Sequence, residues 1–215
     1  MVEPHPLLGY FLEAAEGRFP PVDGGVTVVP ELGRGLAGAV AFTGHAVVAT
    51  ARPAAEVRAQ GPDGFGESMG PDFLRYLAGP GGWIGCLDVT LVARGSGGPA
   101  QLSPLDGADG HPRVRHAREL RTAVGVYGDA RGLVTIAQGL AGRRELSVEL
   151  HLPDGPVPGR GRSLIADALS LVPGGEPVFA AVSPGNARSL RAFLACGFTP
   201  IGSEVLLRPQ RPDPR

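Results

Sequence analysis

A strand-like run that ends at Gly159-Arg160-Gly161 passes straight into the helical pattern Arg162-Ser163-Leu164-Ile165-Ala166-Asp167-Ala168-Leu169. That order leaves a row of unpaired backbone N–H groups at the positive end of a helix. Such an end seats a phosphate, and glycines in the turn let a ligand approach the main chain closely. Just upstream, Glu145, Ser147, Glu149 and His151 take alternate positions and share one strand face, while Leu146, Val148, Leu150 and Leu152 share the other. One face is expected to be core and the other a polar wall. Glu145, Glu149 and His151 are the titratable members of that wall. Downstream, Asn186 is the only asparagine in 215 residues and opens a second helical run.

These residues need a frame. The helical run Arg162 to Leu171 crosses to the apolar strand Val178 to Val182, and a strand-helix-strand unit of this length should be right-handed with parallel strands. Before it, Ala123–Tyr127 and Leu133–Gln138 form a hairpin through the turn Gly128–Gly132, and Leu146–Leu152 is a third strand. His111–Leu120 supplies a further element. Earlier still, Leu7–Glu16 reads as a helix, Val26–Val29 as a strand, and Ala39–Ala49 as a hairpin about Thr43-Gly44. Pro53–Gln60 and Asp72–Ala78 read as short helices flanking a mobile loop, Gly61–Gly70, and Trp83–Ala93 alternates like a strand. Gly95–Pro112, rich in glycine and proline, is the best linker candidate, dividing the chain into an N-terminal α/β subdomain (1–110) and a C-terminal region (111–215).

Composition narrows the field. With 43% hydrophobic residues and a formal charge of −1, the chain can bury a substantial core, and neither a nucleic-acid footprint nor an acidic tail appears. All twenty basic residues are arginine, a sign of codon bias alongside 34 glycines and 22 prolines. Cys86 and Cys196 fit no zinc or disulfide spacing, and His45, His111 and His116 are scattered, so no metal site is expected. No stretch reaches the ~20 apolar residues of a membrane span and no export signal is evident, which gives the expectation of a cytoplasmic protein without membrane or nucleic-acid partners. Gly33-Arg34-Gly35-Leu36-Ala37-Gly38 matches GxGxxG literally, but a hairpin pattern follows it where a dinucleotide fold needs a helix.

Taken together, Pro153, the glycine pair in Gly159-Arg160-Gly161-Arg162-Ser163-Leu164, and the run Pro184-Gly185-Asn186-Ala187-Arg188-Ser189-Leu190-Arg191-Ala192-Phe193 ending in Gly197-Phe198 resemble the GNAT superfamily of acyl-CoA-dependent N-acetyltransferases. The resemblance covers roughly residues 121–207. It implies an α/β (α+β) fold: a mixed, mostly antiparallel sheet with helices on both faces and a parallel strand pair at the cofactor site. It also implies acetyl-CoA as cosubstrate and transfer of the acetyl group to a primary amine of a small molecule or peptide. By the same resemblance, Leu150, His151 and Leu152 would meet the acetyl and pantetheine portion, and the amides of Val157, Gly159, Gly161 and Arg162 the pyrophosphate. Asn186 and Ser189 would contact the pantetheine arm, and Arg160 and Arg188 the nucleotide phosphates. Glu145 takes the position of the base, with Glu149 or His151 acting through water as alternatives.

Two departures stand out. Pro156 replaces the usual Gln or Arg at the start of the loop, and Phe193 takes the cofactor-side place of a tyrosine that protonates the departing thiolate in many members. These departures motivate an alternative, a non-catalytic acyl-CoA-binding or assembly module. Met1–Gly82 is left as a degenerate second acetyltransferase-like half, a substrate-shaping cap, or a dimerisation element that would make the protein a homodimer.

Overall fold

The computed structural model describes residues 3–151 and 157–210. They fall into two compact units, Met1–Thr90 with Ile201–Arg215, and Leu91–Pro200.

The first unit opens with helix α1 (Pro6–Ala15), whose start is fixed by Pro6 and by His5, whose ring Nδ1 accepts the Leu7 N–H at 3.2 Å. Strands β1 (Val26–Val29), β2 (Ala37–Phe42) and β3 (His45–Ala49) follow, then helices α2 (Ala54–Arg58) and α3 (Pro71–Ala78) and strand β4 (Trp83–Arg94). With the C-terminal strand, Thr199–Arg208, which is β10 in chain order, the sheet order here is β1-β3-β2-β10-β4. β2 and β3 form the expected antiparallel hairpin, Phe42 opposite His45, with Gly44 at φ 72° in the turn. β1 runs parallel to β3, Val26 opposite Ala46. Every residue of β3 is buried, and Ala37, Ala39, Val48, Val57, Leu77, Val205 and Leu207 fill the core. The segment Gly61–Gly70, expected to be a mobile loop, is anchored. The Gly64 N–H donates to the Gly24 carbonyl at 3.0 Å, and Asp63 Oδ1 accepts from the N–H groups of Phe65 and Glu67 at 2.8 and 3.0 Å.

The second unit contains β5 (Ser103–Pro104), α4 (Pro112–Leu120), β6 (Thr122–Asp129), β7 (Gly132–Gln138), β8 (Arg144–Leu150), α5 (Arg160–Ala168), β9 (Pro177–Val182) and α6 (Ala187–Leu194). Its own strands run in the order β9-β8-β7-β6-β5. β5 to β8 pair antiparallel, and β8 and β9, joined through α5, are parallel. The architecture is thus the mixed, mostly antiparallel α/β sheet that the resemblance implied. Gly95–Pro112 is no linker. The Gly95 N–H donates to the Glu176 carbonyl at 2.8 Å, Gly97 N–H donates to Val172 at 3.0 Å, and Leu102 is buried. A Cβ on Gly95 would meet the Val172 carbonyl at 2.6 Å, so glycine here serves close packing. The units accordingly divide at Thr90/Leu91 and Pro200/Ile201, not at 110/111.

Candidate functional site

The β7–β8 connection wraps a carboxylate. Gly139 N–H donates to the Arg143 carbonyl at 2.8 Å, and the turn between them carries Ala141 and Gly142 at φ 56° and 87°. Inside it, Glu145 Oε1 accepts from the Leu140 N–H and Arg143 Nε, each at 2.9 Å, and Oε2 accepts from Arg121 Nε at 2.5 Å. Arg143 is 1% exposed and Glu145 5%. The Arg143 guanidinium also lies over the Phe179 ring, 5.3 Å from its centroid. Burial on its own would raise the Glu145 pKa, but the Arg143 and Arg121 charges and the Leu140 N–H outweigh it and hold the group down at about 2. A carboxylate so buried and so fully engaged is a poor proton acceptor. Expected as the base, Glu145 is a structural ion-pair centre.

The rest of the polar wall is half-buried and largely paired. Thr135 pairs with Ser147 across β7 and β8, their hydroxyl oxygens 2.9 Å apart. Glu149 Oε2 accepts from Arg113 Nε on α4 at 3.0 Å, with His111 Nε2 3.8 Å from Oε1. Helix α4 buries Val114 and Ala117, while Arg113 and, just past its end, Arg121 reach the acidic row. Alternation along β8 correctly groups these side chains on one face. It is silent about the helix that covers them. Beyond them, His151 is exposed and its N–H donates to the Arg131 carbonyl at 2.9 Å.

At α5, Gly159 adopts φ 81° as N-cap without a side-chain cap, and the Ser163 N–H donates to the Gly159 carbonyl at 3.0 Å. From the Cβ position of Gly161, Leu150 Cδ1 lies at 3.5 Å and Ala192 Cβ at 3.9 Å, so the helix start sits between the end of β8 and α6. Val157 and Arg162 are exposed, as is Arg188 on α6, and Leu150 is half-buried. Arg160, expected to meet phosphates, donates through Nη2 to the Ala130 carbonyl. Nearby, Arg131 Nη2 bridges Asp129 Oδ2 at 2.6 Å and Asp167 Oδ2 at 2.5 Å. The β6–β7 turn is thereby fastened to α5. Leu152, Pro153 and Pro156 lie outside the described residues.

Asn186 is the N-cap of α6, its Oδ1 accepting the Ser189 N–H at 3.2 Å. Phe193, expected beside the cofactor, is instead core. It is 3% exposed and meets Phe198 edge-on, centroids 4.9 Å apart at 89°. Gly197 at φ 84° ends α6, and the Phe198 N–H donates back to the Phe193 carbonyl at 3.2 Å, so the Gly-Phe pair is a helix C-cap motif.

One feature could admit a ligand. β8 and β9 are in register at Glu145 and Phe179, and among the described residues they form no further pair. Among the described residues, the main chain of Ser147–Leu150 on the β9 side therefore has no paired strand residue, and its end at Leu150 lies against Gly161 of α5. Arg121, Arg143 and Arg113, which set the electrostatics of this face, were not singled out from the sequence, although Arg143 and Glu145 stand two apart and so share a strand side.

No protein-family model matches the chain, and no curated protein matches it. Among solved structures it is similar to a candidate acetyltransferase from the GNAT family of Novosphingobium aromaticivorans DSM 12444, at 16% identity and TM-score 0.40, over 61% of this chain and 69% of that one.

Proposed function

We propose that the Leu91–Pro200 unit binds an acyl-CoA and transfers its acyl group directly to a primary amine of a small molecule or peptide. The observation that carries this reading is the early parting of β8 from its parallel neighbour β9, where Leu150 at the end of β8 lies against Gly161 in the first turn of α5, a helix start with no side-chain cap. Unpaired strand amides and carbonyls there can bind the amide groups of a pantetheine arm as an added strand would, while the amides of Gly159, Gly161 and Arg162 meet the diphosphate. Arg162 and Arg188, both exposed, add charge for the phosphates.

In the transfer, the amine nitrogen attacks the thioester carbonyl, the C–S bond breaks, and the thiolate leaves or takes up a proton. With Glu145 locked between Arg121 and Arg143, His151 at the exposed end of the strand is the favoured base, and Glu149 acts only if Arg113 releases it. Phe193 supplies no proton, so the leaving thiolate draws on water, Ser189 or Tyr127. Thiol release from acetyl-CoA across an amine library tests the reading. Amine-dependent release that falls in His151→Ala is expected, whereas binding without turnover across the library would favour a second reading. That reading, a non-catalytic acyl-CoA-binding module, draws on the locked Glu145 and the buried Phe193.

A further inference from the structure

In the first unit, three side chains form a chain of hydrogen bonds that the acyl-CoA reading leaves unused. His45, at the start of β3 and 7% exposed, places Nδ1 2.8 Å from Asp23 Oδ1 and Nε2 3.0 Å from Thr27 Oγ1. The Asp23 carboxylate is itself positioned, since the same Oδ1 accepts the Gly25 N–H at 2.7 Å. Its affinity for protons is lowered first by the hydrogen bond from His45 and then by that from Gly25, so it stays an anion. An anion at Nδ1 keeps the proton on that nitrogen and leaves Nε2 as the acceptor for the Thr27 hydroxyl. This is the tautomer and order of contacts that turns a hydroxyl into a nucleophile.

Two further features complete the arrangement. The Tyr10 hydroxyl lies 3.5 Å from Thr27 Oγ1, and its ring stacks on Phe42 with centroids 6.3 Å apart. A donor held at that distance from the nucleophile can reach the oxygen of a carbonyl under attack. Around Asp23, three backbone segments meet closely: Gly24 N–H donates to the Gly44 carbonyl at 2.9 Å, and Gly64 N–H to Gly24 at 3.0 Å. Val22 and Phe65, on these same segments, are 68% and 70% exposed. Phe65 covers Gly24, where a Cβ would lie 2.9 Å from its ring, so the anionic end of the relay has an apolar rim.

We propose that Asp23, His45, Thr27 and Tyr10 form a second, hydrolytic site that cleaves small activated acyl esters through an acyl-Thr27 intermediate. Thr27 Oγ attacks the ester carbonyl as its proton passes to His45 Nε2. The ester C–O bond breaks, and the leaving alcohol takes that proton. Water then attacks the Thr27 ester, gives a proton to His45, and releases the carboxylic acid while Thr27 Oγ recovers its proton. Asp23 orients and compensates the imidazolium, and Tyr10 donates to the oxyanion. Neither coenzyme A nor the second unit takes part.

The test uses the full chain with p-nitrophenyl acetate, following nitrophenolate release and the mass of the peptide from Phe19 to Arg34 produced by cleavage after arginine. In that peptide Thr27 is the only hydroxyl, thiol, imidazole or amine side chain. Release above the buffer rate, one acetyl group on that peptide, and loss of both in Thr27→Val are expected, with Asp23→Asn slowing release by about 10²–10⁴-fold. Thr27→Ser should retain release. Should Thr27→Val not fold, as judged by circular dichroism, Asp23→Asn decides, since Asp23 is half exposed at the surface. An unchanged rate in Asp23→Asn, an unchanged rate in folded Thr27→Val, or acetyl found only on other peptides would overturn the proposal.

Discussion

The carboxylate of Glu145 fills the space that a Cβ on Gly139 would occupy. Because Arg121, Arg143 and the Leu140 N–H pin that carboxylate from three sides, it cannot swing away as an ordinary side-chain end would. Glycine at 139 is required by this contact, since a Cβ there would lie 2.0 to 2.3 Å from the carboxylate atoms. Gly139→Ala should therefore destabilise the protein by about 1–3 kcal/mol, as overpacking of a filled interior does. Urea unfolding with unchanged slope and a lower midpoint would show it.

Removing the charge should cost more. Glu145→Gln leaves the fully buried Arg143 cation beside a neutral amide, and breaking a buried pair from one side typically costs about 3–5 kcal/mol. If the folded variant retains amine-dependent thiol release, Glu145 is confirmed as structural. A specific loss of kcat at full stability would return it to the chemistry.

The same ion pairs give a pH dependence with a definite sign. The folded-state pKa of Glu145 is depressed to about 2, below the unfolded value of ~4.3, so the unfolded chain binds more protons in between. The stabilisation is complete above the unfolded value and is lost as pH falls toward 2. Denaturant unfolding at pH 5, 4 and 3 should show decreasing stability, with a shallower decrease in Glu145→Gln.

Phe193→Tyr restores the hydroxyl that the family resemblance leads one to miss. Since the ring is buried edge-on to Phe198, the added O–H is expected to lower stability by about 1–3 kcal/mol, the cost of an unsatisfied buried polar group. Thermal melting should reveal the loss, and turnover with acetyl-CoA should not rise.

Much of the fold was legible because local signals and tertiary demands agreed. The β-branched run Val26–Val29 is a strand over those very residues, and Thr43-Gly44 turns the hairpin where a positive φ is needed. Helices α3 and α4 begin at Pro71 and Pro112, where a missing N–H does no harm. The site was legible only in outline. Period-two alternation assigns Glu145 and Glu149 to one face, but whether that face meets solvent depends on α4, whose Arg113 comes from 36 positions away. Gly95–Pro112 misled for a related reason. Its glycines permit tight backbone packing against Val172–Gly174, and composition cannot distinguish that from flexibility. The Asp23–His45–Thr27 relay joins the start of β1 to His45, 18 to 22 positions on, a separation that carries no recognisable spacing signature.

Calorimetric titration with acetyl-CoA, on the unaltered protein and on Gly161→Ala, tests the acyl-CoA site most directly. A Cβ at Gly161 meets only ordinary contacts within the protein, so the variant should fold with an unchanged melting temperature while obstructing a ligand at the α5 N-terminus. Saturable one-to-one binding, weakened about tenfold or more by Gly161→Ala, is the expected result. Absence of binding to any CoA species, or equal affinity in the two proteins, would contradict it.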